Sequence, residues 1–143
     1  MKHLKSITQT YIERDRKVLP ELIRRAKHLA TYPTSAKKLY HIAAELPTDR
    51  FYISDDAACE YIRKRFFHNI QPKFISPFKQ RLFDALYHEV SEMLRQEKYS
   101  KMGLKNVTIL ALERPAPCVG LTPYIIGLRY RKLHKQNNHK KHE

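Results

Sequence analysis

The stretch Ser76–Gln96, SPFKQRLFDALYHEVSEMLRQ, decides how this chain folds. Leu82, Phe83, Leu86, Val90, Met93 and Leu94 recur at helical spacing and cover nearly half of a helix circumference over 77–96. Gln80, Arg81, Asp84, His88, Ser91, Glu92 and Arg95 take the opposite arc. Ser76 is an N-cap, and Pro77 fits the first helical position, where a missing N–H costs nothing. An apolar face this wide has to be covered from several sides. Helix 77–96 is therefore expected at the centre of the fold.

The neighbouring segments repeat the helical pattern. Residues 2–16 place Leu4, Ile7 and Tyr11 on one stripe with Ile12 beside them, and 18–31 place Leu22, Ile23, Ala26, Leu29 and Ala30, with Pro20 in the first turn. Residues 35–46 follow a cap at Thr34 or Ser35 and stop at Pro47. Ser54 caps a helix over 55–68, whose first turn carries Asp55 and Asp56, favourable at the positive end of the helix dipole. Segment 100–114 contains an apolar run, Val107–Leu112, that is short for separating helix from strand; the period of Leu104, Val107, Leu110 and Ala111 favours helix. Thr122-Pro123 opens a last helix over 123–134. The run 50–54 (Arg-Phe-Tyr-Ile-Ser) reads as a short strand or an extended connector. The expectation is an all-α, compact bundle of about six short helices around helix 77–96. It comprises a single helical domain over 1–135, followed by a disordered basic tail over 136–143.

Charge is the strongest functional signal. The chain has 28 Lys and Arg against 14 Asp and Glu, a formal net charge of +14. The excess sits at the two ends: the only acids after residue 100 are Glu113 and Glu143. Such self-repulsion would be relieved by a bound polyanion. Three basic clusters lie on helices whose other side is apolar: Arg24 and Arg25; Arg63, Lys64 and Arg65; and Arg129, Arg131, Lys132 and Lys135. Rigidly presented cations of this kind suit phosphate contacts. These residues are the candidate nucleic-acid-binding set, with DNA the first expectation. The alternative is a helical adaptor whose charge meets an acidic protein partner.

Other chemistry is poorly supported. The three glycines, Gly103, Gly120 and Gly127, lack the spacing of a phosphate-cradling loop, and there is no zinc-protease or nucleophile-elbow motif, so no catalytic residues and no cofactor are expected. Asp84, His88 and Glu92 have metal-ligand spacing, but they lie on the polar arc of an amphipathic helix, where such residues belong anyway; no metal site is expected. Cys118 follows Pro117 with no base in view, and both it and Cys59 read as small hydrophobes rather than a disulfide or a nucleophile. Most aromatics fall on apolar stripes; Phe51 and Tyr52 in the connector are the exceptions that could stack on bases. Helices 35–46 and 55–68 suggest a helix-turn-helix, but their connector is long and the second begins with Asp55-Asp56, which repels phosphates. No apolar run is long enough for a membrane span or a signal core, so a cytoplasmic location is expected.

Overall fold

A computed structural model of the chain describes the backbone of residues 7–30 and 34–141, and the side chains of 9–30 and 34–135. The described residues are all helix and connector, with no strand beyond one isolated bridge. In chain order the elements are α1 (Ile7–Glu13), a π-turn (Arg14–Val18), α2 (Leu19–Leu29), α3 (Ala36–Glu45), α4 (Asp55–Phe67), α5 (Pro77–Leu94), α6 (Glu97–Ser100), α7 (Leu104–Ala111) and α8 (Pro123–Lys141). The all-α expectation holds.

Helix starts follow local chemistry. The hydroxyl of Ser35 accepts from the Lys38 N–H, that of Ser54 from Ala57, that of Ser76 from Lys79 and that of Thr122 from Ile125, each at 3.3 Å. Each bond satisfies one of the backbone donors that a helix start leaves unpaired. Of the two capping candidates before α3, Ser35 takes the role.

The first two expected helices are continuous rather than separate. Pro20 has no N–H for the carbonyl four residues back, and its ring would crowd that carbonyl. The chain widens to a π-turn just before it, where the Leu19 N–H donates to the Arg14 carbonyl five residues earlier. Leu4, part of the expected stripe, lies outside the described residues. Segment 100–114 is helical, as its period suggested, but starts later. Gly103, at φ +88°, separates α6 from α7 in a conformation that side chains disfavour. At the other end, α8 continues to Lys141, through most of the stretch expected to lack structure. Residues 136–141 contain no Gly or Pro to stop a helix.

The core is divided. One cluster joins Ile53, Ala58, Ile62, Leu82, Phe83, Leu86, Val90, Val107 and Ala111, from the α4–α5–α7 half. The other joins Leu19, Leu22, Ile23, Ala26, Tyr40, Ala43, Val119 and Ile126, from the α2–α3–α8 half. Helix α5 thus organises one core; the other meets it mainly through Phe78, in the first turn of α5.

Two connectors run between the halves and pair with each other. Thr48 and Ala116 exchange backbone hydrogen bonds at 3.0 Å each way, and the Phe51 N–H donates to the Leu112 carbonyl at 2.9 Å. This is the extended alternative for 50–54: a single bridge rather than a strand. Gly120 passes so close to α5 that a Cβ there would lie 2.5 Å from Leu82 Cδ2, and its φ of +83° also favours glycine. An Arg81–Glu45 ion pair at 2.6 Å adds a surface tie between α5 and α3.

Candidate polyanion interface

The structure sorts the nine basic residues expected to bind nucleic acid into engaged and unengaged groups. Arg65 is the most engaged. Its guanidinium lies 3.8 Å from the centre of the Tyr87 ring, donates to the Tyr61 hydroxyl at 2.9 Å and approaches the Asp84 carboxylate at 3.4 Å. Tyr61 in turn donates to Asp84 at 2.8 Å. Burial, reinforced by that bond to a carboxylate, pushes the Tyr61 hydroxyl up to about 12. Lys64 pairs with Glu60 at 3.3 Å, one turn away. Arg25 donates to the Pro47 carbonyl at 2.9 Å and so pins the end of α3 to α2. Arg129 reaches Asp15 at 3.1 Å, tying α8 to the π-turn. Arg24 pairs on the surface with Glu21, and this bond raises its pKa and lowers that of the glutamate.

Arg63, Arg131, Lys132 and Lys135 form the second group. All four are exposed and have no side-chain partner among the described residues. Three of them lie on α8. Helix α3, packed against α8, adds Lys37, Lys38 and His41, also exposed and without a side-chain partner among the described residues. These three were not singled out from the sequence, because Lys37-Lys38 is a short pair and α3 reads mainly as an apolar stripe. Their spacing was nevertheless legible, since His41 stands four residues after Lys37 and so on the same side of the helix.

Helices α3 and α8 enclose a groove of about 450 Å³, within the range of small-ligand sites. Ala36, Pro123 and Gly127 line it with apolar surface, Tyr40 and Tyr124 with rings, and Lys37, His41 and Arg131 with cationic or titratable groups; no acid lines it. Gly127 brings the helices together, since a Cβ there would lie 2.6 Å from Tyr40 Cε2. Tyr40 is itself held edge-on to Tyr130, with ring centres 6.4 Å apart, so it forms a fixed wall. Tyr124 is 70 % exposed.

The remaining residues singled out from the sequence lie away from this face or are already engaged. Phe51 and Tyr52 are buried, so neither offers a face to a base. The connector that carries them pairs with residues 112–116, and Phe51 joins the α4–α5–α7 core cluster. Asp55, at the start of the second helix of the supposed helix-turn-helix, is also buried. Asp84 is occupied by Tyr61, Arg65 and the Gln80 amide, and among the described residues no three His, Cys, Asp or Glu side chains are placed to hold a metal ion. Cys118 is fully buried, its sulfur 3.5 Å from the Phe78 carbonyl, and burial raises its pKa. Cys59 is half-buried, its pKa also raised mainly by burial, and both thiols are free. Raised pKa values keep both as thiols rather than nucleophilic thiolates at neutral pH. No helix among the described residues is long and apolar enough to cross a membrane. The chain matches no family model, no curated protein and no solved structure.

Proposed function

We propose that the chain is a nucleic-acid-binding module, not an enzyme, and that it acts in the cytoplasm by presenting α3 and α8 to phosphates. One observation carries this reading. Lys37, Lys38, Arg131, Lys132 and Lys135 stand exposed and unengaged among the described residues, on two helices packed together. The chain supplies no acid between Glu113 and Glu143 to neutralise α8. A cation without a partner loses no internal bond on meeting a phosphate, and each phosphate contact releases condensed counterions. Titration of a labelled duplex, a single strand and a structured RNA across salt concentrations tests the reading. With about five phosphate contacts, log affinity should fall against log salt with a slope of about −4. Absence of binding at about 50 mM salt, or affinity indifferent to salt, overturns it.

A second reading draws on the opposite half. Phe67, Ile70 and Ile75 are more than half exposed around the end of α4 and the loop that follows, close in sequence to the unengaged Arg63. An apolar patch beside a cation fits an acidic protein partner. Capture of such a partner that survives nuclease treatment and is lost in Phe67→Ser would favour an adaptor role.

A further inference from the structure

We propose that the groove between α3 and α8 takes an unpaired nucleotide, so that the chain holds single strands more tightly than duplexes. This rests on the nucleic-acid reading above and adds to it the form of the ligand.

Phosphate contacts alone give no preference for an unpaired strand, because the backbone oxygens are the same and the duplex carries the denser charge. The groove does give that preference. Its cationic rim, Lys37 and Arg131, is unengaged among the described residues, and no acid lines the space between. Its interior is apolar and aromatic rather than a flat charged surface. A base within a duplex has both faces covered by its neighbours and cannot enter such a recess. An unpaired base has free faces and can be swung out to stack on an aromatic ring.

Tyr124 suits that role. Its ring is 70 % exposed in the first turn of α8, so stacking would cover apolar surface that now faces water. Tyr40 cannot rotate away, because Gly127 and Tyr130 confine its ring. A base on Tyr124 would therefore lie against a preformed wall. Arg131, about two turns further along the same face of α8, and Lys37, across the groove, would take the flanking phosphates. Arg131 offers the planar fork that matches a phosphate. Charge complementarity selects an anion, and the rings select one that carries a flat, apolar face.

The test uses the full chain and a labelled oligonucleotide, single-stranded or annealed to its complement, at one salt concentration and then across a series. Wild type should bind the single strand more tightly. Tyr124→Ala should weaken single-strand binding by about fivefold or more while leaving duplex affinity unchanged. Tyr124→Phe keeps the ring and should restore the single-strand preference. Lys132→Ala, outside the groove, should weaken both forms together. Far-UV circular dichroism checks that each variant remains helical, as expected for Tyr124, which lies outside both core clusters. If Tyr124→Ala weakens both forms alike, or leaves single-strand binding intact, the groove assignment falls while nucleic-acid binding stands. If wild type binds neither form, both fall together.

Discussion

The α4–α5 interface and the α3–α8 face carry similar basic residues and use them in opposite ways. In the α4–α5–α7 half, Arg65 lies on Tyr87 and Tyr61, Lys79 stands 4.8 Å from the centre of the Phe74 ring, and Arg114 reaches Glu89 at 3.7 Å. In the α2–α3–α8 half, Lys37, Lys38, Arg131, Lys132 and Lys135 have no such partners among the described residues. The difference arises from neighbours rather than from the cations. Helix α4 places Tyr61 and Glu60 one turn before Arg65 and Lys64, and α5 adds Asp84 and Tyr87 across the interface. Helix α8 has no acid at all. A count of positive charge along a chain therefore overstates the charge available to a ligand. What matters is whether a carboxylate or ring stands within reach once the helices pack.

The largest expected effect that separates the halves comes from their cores. Leu86 is fully buried in the α4–α5–α7 cluster and Ile126 in the α2–α3–α8 cluster. Truncating either to Ala should cost about 2–5 kcal/mol, read from the denaturant midpoint. Only Ile126→Ala should also alter nucleic-acid affinity, because Ile126 anchors α8 in the same core cluster as Tyr40, a wall of the groove. Equal effects of the two variants on affinity would break the distinction drawn between the halves.

A smaller effect contrasts an engaged cation with an unengaged one. Arg65→Ala removes a ring stack and the cation facing Asp84, which keeps only its neutral donors Tyr61 and Gln80, so it should lower stability by about 1–2 kcal/mol, with little change in the salt slope of binding. Lys132→Ala should leave stability within about 0.5 kcal/mol of wild type yet reduce that slope by about one unit. Thermal melts and salt titrations of the two variants check both arms. The reverse pattern would place the binding surface on α4.

The smallest effect is in alkaline stability. Tyr61 has its folded pKa raised to about 12, above the ordinary tyrosine value of about 10. The folded state therefore holds this proton more tightly than the unfolded one. The stabilisation is fully present below about pH 10 and is lost as pH rises through about 12. Tyr61→Phe should flatten the fall in denaturant midpoint over that window relative to wild type. An unchanged fall would mean that neither burial nor the bond to Asp84 raises the Tyr61 hydroxyl.

Much of the fold was legible because helix formation is largely local. Ser35, Ser54, Ser76 and Thr122 cap where their sequence positions suggested, and the stripes of α2 and α5 face their cores, except that Leu29 at the end of α2 is exposed. The first miss, a break between α1 and α2, came from Pro20, which reads as a helix start but is tolerated inside a continuous helix by the π-turn before it. The candidate site was only partly legible. Arg131, Lys132 and Lys135 remain in it; Arg25, Arg65 and Arg129 serve the fold; Lys37 and His41 join from one side of α3, a spacing too short to stand out alone, and Tyr124 from the first turn of α8.

The sequence by itself determined the helical class, the caps, and the acid-poor C-terminal third. Each of these depends on residues within a few positions of one another. Tertiary structure decided that the core is double, that Phe51 and Tyr52 are buried, which cations are engaged, and that a groove opens between α3 and α8. Those outcomes depend on partners far apart in the chain: Asp84 for Arg65, Asp15 for Arg129, Tyr40 for Gly127. Helical periodicity says which side of a helix is apolar, but only packing sets which neighbour that side meets and what is left facing water.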